Sequence, residues 1–223
     1  MQFSIIIPTL NESGALAFAL KGLLADIEYL SQIEIIVCDG GSDDDTLEQA
    51  RGFPVQIINA QRGRASQMNA GAQQALGDWL LFLHADTRLP SGWMQLVQAS
   101  TSDWGRFDVR LSGRHWLLRL VERAMNLRSC RTAVATGDQA MFFRNDFFQR
   151  LQGFPEIPLM EDIAISKNAR ALAQPACISQ PVITSSRRWE KNGIIRTIVL
   201  MWWLRLAYWM GVKPATLHRW YYG

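Results

Sequence analysis

Glu34-Ile35-Ile36-Val37-Cys38 runs straight into Asp39-Gly40-Gly41-Ser42-Asp43-Asp44-Asp45-Thr46. The first five residues form strands readily. A carboxylate at the end of a buried strand, followed by two glycines and several helix-capping residues, suits a turn that holds a nucleotide beside a sheet. A solvated acidic loop is the alternative. A second element of the same kind, Trp79-Leu80-Leu81-Phe82-Leu83-His84-Ala85-Asp86-Thr87, moves the balance toward function. Working outward, strand-like runs at about 3–7, 34–38, 55–59 and 79–83 alternate with segments of helical period. That is the pattern of parallel βαβ units covered on both faces, so the fold class is α/β.

In the first helical segment Leu16, Leu20, Leu23, Leu24, Ile27 and Leu30 share one stripe. Ala65 to Leu76 predicts another helix, and Pro90 introduces a third near 91–99. After Ser100 the regularity loosens. Phe107-Asp108-Val109-Arg110-Leu111 alternates like an antiparallel strand, Trp116 to Leu127 reads as an amphipathic helix, Ala140 to Phe143 as a strand, and Asp162 to Leu172 as a helix. No repeat or low-complexity linker divides the chain. The expected organisation is one domain over 1–193, with an apolar, aromatic helix and tail over 194–223.

The 223 residues suit one sizeable core. A net charge of +3 is too small for general nucleic-acid binding without a clustered basic face. Cys38, Cys130 and Cys177 are odd in number and widely spaced, which supports neither a disulfide framework nor a zinc site. They read as buried or half-buried thiols in a reducing compartment. The chain enters a strand at Phe3 with no signal-peptide pattern, so a cytoplasmic location is expected, including the inner face of a membrane.

In a parallel sheet, ligands collect beyond the carboxyl ends of the strands. Pro8-Thr9-Leu10-Asn11-Glu12, Asp39-Gly40-Gly41-Ser42 and His84-Ala85-Asp86 all fall at such ends. A cap or turn role is open to each one singly; three on one rim are hard to assign to capping alone. Arg62-Gly63-Arg64, at a helix entrance, pairs a flexible glycine with two guanidiniums that suit a diphosphate. An arginine-fronted surface helix is the plainer reading.

Taken in order, these motifs resemble the nucleotide-sugar glycosyltransferases of family 2, from Ile5 to about Gly193. The resemblance implies a GT-A fold, a Rossmann-like mixed sheet with helices on both faces, followed here by a C-terminal apolar helix. Pro8 to Glu12 is similar to the family's opening Pro-x-x-Asn-Glu, which places Pro8, Thr9 and Glu12 along the nucleoside. Asp39 then holds base or ribose, and Arg62 and Gly63 lie under the diphosphate. The family's Asp-x-Asp metal motif reads His84-Ala85-Asp86 here, so Asp86 is the implied ligand of a divalent cation, Mg²⁺ or Mn²⁺. Asp138, in Gly137-Asp138-Gln139, resembles the segment shaping the sugar and acceptor pocket. Glu161-Asp162 resembles the Glu-Asp motif whose aspartate is the general base. Ser185 to Trp189 resembles a short Arg-Trp motif, with Arg188 reaching phosphate and Trp189 closing the acceptor pocket.

Transfer of a sugar needs a carboxylate within hydrogen-bond reach of the acceptor hydroxyl. One such base and no carboxylate placed as a nucleophile imply direct displacement with inversion. The expected function is therefore an inverting, metal-assisted, hexosyltransferase-like enzyme with a nucleotide-sugar donor. A nucleotide- or lipid-binding module without turnover is the alternative, since a fold alone does not settle activity. A haloacid-dehalogenase-type phosphohydrolase wants a second aspartate where Gly41 stands, and a dinucleotide oxidoreductase wants a Gly-x-Gly-x-x-Gly that does not follow the first strand.

Ile194 to Met210 is almost wholly apolar, with Trp202, Trp203, Tyr208 and Trp209, but Arg196 and Arg205 interrupt it. It falls short of a membrane span and suits a helix lying on a lipid surface. Burial against the domain or in a homodimer interface is the alternative. A lipid-linked acceptor accords with the surface reading.

Overall fold

The computed structural model describes residues 2–25 and 30–222. Elements alternate through the first half: β1 (Phe3–Thr9), α1 (Ser13–Ala25), β2 (Ile33–Asp39), α2 (Thr46–Ala50), β3 (Gln56–Asn59), α3 (Arg64–Gln74), β4 (Trp79–Phe82) and α4 (Trp93–Gln98). The second half adds β5 (Trp104–Leu111), α5 (Trp116–Thr132), β6 (Phe142–Arg144), α6 (Asn145–Arg150), α7 (Glu161–Leu172), β7 (Ala176–Thr184), α8 (Arg187–Asn192), α9 (Ile194–Trp209) and α10 (Pro214–Tyr222). The strands form one seven-stranded sheet in the order β3-β2-β1-β4-β6-β5-β7.

Apolar strands sort their side chains by pleat, because successive Cβ atoms point to opposite faces. Phe3, Ile5 and Ile7 of β1 join one core layer with Leu16, Leu20 and Leu23 of α1 and Trp93 and Val97 of α4. Ile6 joins the opposite layer, with Met68 and Ala72 of α3, a phenylalanine cluster (Phe82, Phe143, Phe148, Phe154) and Ile165 of α7. The expected stripe on α1 is present through Leu23; Ile27 lies outside the described residues, and Leu30 opens a short 3-10 turn. The approach of α3 to the sheet is close. A Cβ on Gly71 would stand 2.6 Å from both the Cys38 sulfur and Ile6 Cγ2, so only glycine fits there.

β1 pairs in parallel with both β2 and β4, and β2 in parallel with β3. The strand order therefore reverses at the β1–β4 junction, where open α/β sheets form their ligand crevice. β6 is antiparallel to β4 and β5, making the sheet mixed. The 107–111 run differs from expectation. β5 is antiparallel to β6 only through Trp104 and Gly105, and its longer partner is the parallel β7, with a register shift at Phe107/Asp108. Alternation reports one buried and one wetter face; it carries no information about a partner's direction.

The cysteines also differ. Cys130 near the end of α5 and Cys177 near the start of β7 form a disulfide, with Cα atoms 5.9 Å apart, and Cys38 alone is free. The pair stand 47 positions apart in sequence, and only the docking of α5 on β5, which pairs with β7, brings them into bonding range. Burial pushes the Cys38 thiol up to about 12, which makes it inert.

Among the described residues, no helix is long and apolar enough to cross a membrane. Leu204 and Ala207 of α9 and Leu217 of α10 bury against Val134, Met160 and Ile163. The outer side of α9 leaves Ile195, Val199, Trp202, Leu206 and Trp209 exposed.

Candidate active site

Two adjoining regions lie beyond the carboxyl edge of the sheet. The first is a rim built by the loops after β1 and β2, whose strand ends are in register at Thr9, Asp39 and Asn59. Asp39 is buried. Its Oδ2 accepts from the N–H groups of Gly41 and Ser42 (2.8 and 2.9 Å), and its Oδ1 accepts from the Ser42 hydroxyl (2.5 Å). Gln67 of α3 donates from Nε2 to the carbonyls of Thr9 (2.7 Å) and Cys38 (2.8 Å), clasping the two strand ends. The two loops are laced further: the Asn11 N–H donates to Ser42 Oγ, and the Glu12 N–H to Thr46 Oγ1, both at 2.9 Å. Glu12 Oε2 pairs with Arg187 Nη2 of α8 at 3.2 Å. Arg62 is exposed, and Gly63, at φ +142°, turns the chain into α3.

The second region is a cavity of about 580 Å³ enclosed by α5, the 136–138 turn, the start of α7, α8, α9 and α10. Asp138, Glu161, Asp162, Arg188 and Trp189 line it. Pro8, Thr9, Glu12, Asp39, Arg62 and Gly63 belong to the rim instead. Asp86 sits just behind the cavity wall, where its Oδ1 accepts from the hydroxyl of Thr184, a lining residue, at 3.4 Å.

Asp162 lies in the first turn of α7, and its Oδ2 accepts from the Gly137 N–H at 3.0 Å. Any non-proline residue could donate that N–H, but only glycine fits, since a Cβ there would meet His84 Nε2 at 2.5 Å. His84 Nδ1 pairs with Asp138 Oδ1 at 3.3 Å. Asp138 keeps 44% of its side chain accessible, since it faces the cavity rather than packed atoms. Burial acts to raise its carboxyl, but the hydrogen bond and charge of His84, with Arg64 and Arg205, outweigh this and lower it. Glu161 is 6% exposed, and burial with the neighbouring Asp162 charge pushes its carboxyl up to about 7.

Arg64, already noted in the sequence at the entrance of α3, also lines the cavity, as do two arginines that had no role assigned from sequence, Arg128 and Arg205. Arg64 reaches the cavity mouth, and although crowding acts to lower its guanidinium, the fields of Tyr222, Glu161, Asp138 and Tyr221 raise it. Arg188 stacks on Tyr221 with its guanidinium carbon 3.6 Å from the ring centre, so α10 helps close the cavity. Arg128 of α5 and Arg205 of α9 are half-buried in the wall. The one sequence signal for these two was a cation on an otherwise apolar helical face.

Among the described residues, no group of three or more His, Cys, Asp or Glu is placed to hold a metal ion. A Mg²⁺ or Mn²⁺ that keeps waters and binds mainly through substrate phosphates needs only one or two carboxylates. Asp86 fits that lesser demand: its hydrogen-bond donors are two hydroxyls, those of Thr184 (3.4 Å) and Thr87 (3.5 Å).

The model of the family described as Glycosyl transferase family 2 matches residues 4–148, and the chain belongs to that family. The fold is that of its GT-A members. TarS of S. aureus, solved in complex with UDP, superposes with a TM-score of 0.67 at 20% identity, over 83% of this chain and 60% of that one. The mannosyltransferase PcManGT of Pyrobaculum calidifontis, solved with GDP-Man and Mn²⁺, gives 0.62 at 19% identity, over 82% and 56%. In sequence, a PGL/p-HBAD biosynthesis glycosyltransferase of Mycobacterium bovis is 37% identical over 95 residues, 40% of this chain and 36% of the relative. An undecaprenyl-phosphate 4-deoxy-4-formamido-L-arabinose transferase of Pseudomonas savastanoi is 33% identical over 96 residues, 39% and 28%. The matched stretch thus spans about a third of the length of these relatives. Glu161, Asp162, Arg188 and Trp189 all lie beyond residue 148, where the family match ends.

Proposed function

We propose that this chain transfers a sugar from a nucleotide-sugar donor to an acceptor hydroxyl, with inversion at the anomeric carbon and Asp162 as the base. The observation that carries this reading is the setting of Asp162. It is a carboxylate anchored by the Gly137 N–H on the wall of a large cavity, beside a nucleotide-type rim at the sheet's switch point.

The acceptor oxygen attacks the anomeric carbon as the bond from that carbon to the diphosphate oxygen breaks. The electron pair of that bond leaves with the nucleoside diphosphate, and the acceptor's proton passes to Asp162. A single displacement inverts the centre. Glu161, its carboxyl raised to about 7 and so only partly ionised near neutrality, avoids placing a second full negative charge beside the base. Asp39 and the loop of Pro8 to Glu12 hold the nucleoside, Arg62, Gly63 and Arg64 meet the diphosphate, and Trp189 and Arg188 close the pocket. Asp86 would hold Mg²⁺ or Mn²⁺, which when bound supplies charge stabilisation for the leaving diphosphate. In this reading residues 1–193 are the catalytic body, and 194–223 complete the acceptor side and contact a lipid surface peripherally.

The test is a panel of UDP-, GDP- and dTDP-sugars with Mg²⁺ or Mn²⁺, assayed for hydrolysis and transfer. Asp162→Asn is expected to lower kcat by at least about 100-fold with donor affinity unchanged. Near-normal turnover in that variant removes Asp162 from the mechanism. Donor binding with no turnover under any condition favours a binding module instead.

A further inference from the structure

The far side of the cavity is chemically unlike the Asp162 side. On α5, Leu120, Val121, Ala124 and Met125 line it, followed by Arg128; on α9, Ile198, Met201 and Trp202 line it, followed by Arg205. Each helix therefore offers one apolar stripe at helical spacing that ends in a guanidinium. The two stripes face the same space, and α5 packs against α9. Arg128 and Arg205 lie in each other's field and in that of Asp162, so both charged ends converge on the base.

The arginine pair is incompletely satisfied. Nε and Nη2 of Arg128 are sealed from solvent and have no hydrogen-bond partner. Burial first, then the neighbouring Arg205 and Arg106, lower its guanidinium to about 10 against the opposing field of Asp162. The apolar stripes also reach solvent: at the far end of the α5 stripe Leu120 is 58% exposed, and on α9 Trp202, one turn before Arg205, is 71% exposed beside Val199 and Leu206 on the outer side of that helix. The cavity thus has a cationic inner end beside the base and an apolar route to the surface.

We propose that the acceptor is an amphiphile, with an acidic group beside its reacting hydroxyl seated between Arg128 and Arg205, and a hydrocarbon portion lying between α5 and α9. This rests on the transferase reading for the word acceptor; the binding site itself does not. A neutral sugar acceptor would leave the arginine pair uncompensated and the apolar stripes wetted. A free inorganic anion would use the first and ignore the second.

Calorimetric titration of the full chain, with and without UDP, separates these cases using octyl phosphate, dodecyl phosphate, dodecyl maltoside and inorganic phosphate, each below its micellar concentration. Dodecyl phosphate is expected to bind at least about tenfold more tightly than either octyl phosphate or dodecyl maltoside, and inorganic phosphate weakest. Arg128→Gln should erase the advantage of the phosphate over the maltoside while leaving the maltoside unchanged. It should also raise Tm, since it removes a half-buried cation with two sealed, unpartnered nitrogens. Arg205→Gln is the second variant should the first fail to fold, with the same expected loss. Equal affinity for dodecyl phosphate and dodecyl maltoside, equal affinity for the two chain lengths, or undiminished phosphate binding in both variants overturns the proposal. Amphiphile binding without sugar transfer would leave this site standing and remove the transferase reading. Transfer to soluble neutral acceptors without amphiphile binding would do the reverse.

Discussion

The rim around Asp39 and the cavity around Asp162 lie side by side, yet they meet their ligands in opposite conditions. At the rim every carboxylate oxygen of Asp39 is already engaged, by two backbone N–H groups and a hydroxyl, and Gln67 locks the strand ends beneath it. In the cavity Glu161 is held partly protonated by burial, and Arg128 has two nitrogens without partners. Polar groups at the rim contribute to folding before anything binds. Those in the cavity cost stability that a bound molecule can recover.

The contrast predicts opposite signs for removing a carboxylate charge in the two places. Asp39→Ala deletes a buried acceptor of three hydrogen bonds and should lower stability by roughly 3 kcal/mol in urea unfolding, with nucleotide affinity falling alongside. A loss under about 1 kcal/mol would mean that the rim is not pre-assembled. Glu161→Gln should do the reverse above neutrality. A carboxyl raised from 4.5 to about 7 gives the native state more bound protons than the unfolded chain between those values. Stability therefore declines as pH rises through that window and levels off above it. The glutamine variant should lack this decline and be more stable at pH 8, by up to roughly 3 kcal/mol. A flat wild-type profile from pH 4.5 to 7 would show that the cavity carries no such strain.

The smallest effect concerns the outer side of α9. Val199, Leu206 and Trp209 are 61%, 48% and 77% exposed and lie outside the cavity lining. Replacing all three by serine should reduce co-sedimentation with anionic liposomes several-fold while changing stability by less than about 1 kcal/mol. Equal sedimentation of the two proteins would remove the lipid-surface reading. Deleting the segment after Gly193 would be a poorer experiment, because Leu204, Ala207 and Leu217 are buried and α9 forms a cavity wall.

How far the sequence could be read follows the same division. The first half was legible because its signals are local: apolar runs of strand length, glycine turns and strand-end acids recur at short range and mark parallel βαβ units, although the order β3-β2-β1-β4 came only with the structure. The second half was only partly so. Its three long helices, α5, α7 and α9, were visible in the sequence and the short α6, α8 and α10 were not; β7, its parallel pairing with β5 and the Cys130–Cys177 bond depend on contacts between segments far apart in the chain.

By itself the sequence determined the α/β class, the carboxyl-edge rim and the acids carried on it, since a strand's pleat and a helix's pitch dictate where neighbouring residues point. Only the tertiary structure decided that Asp138, Asp162, Arg128 and Arg205 share one cavity while Asp39 stands outside it. The docking of α5, α7 and α9 made that choice, through packing between surfaces that no local pattern encodes.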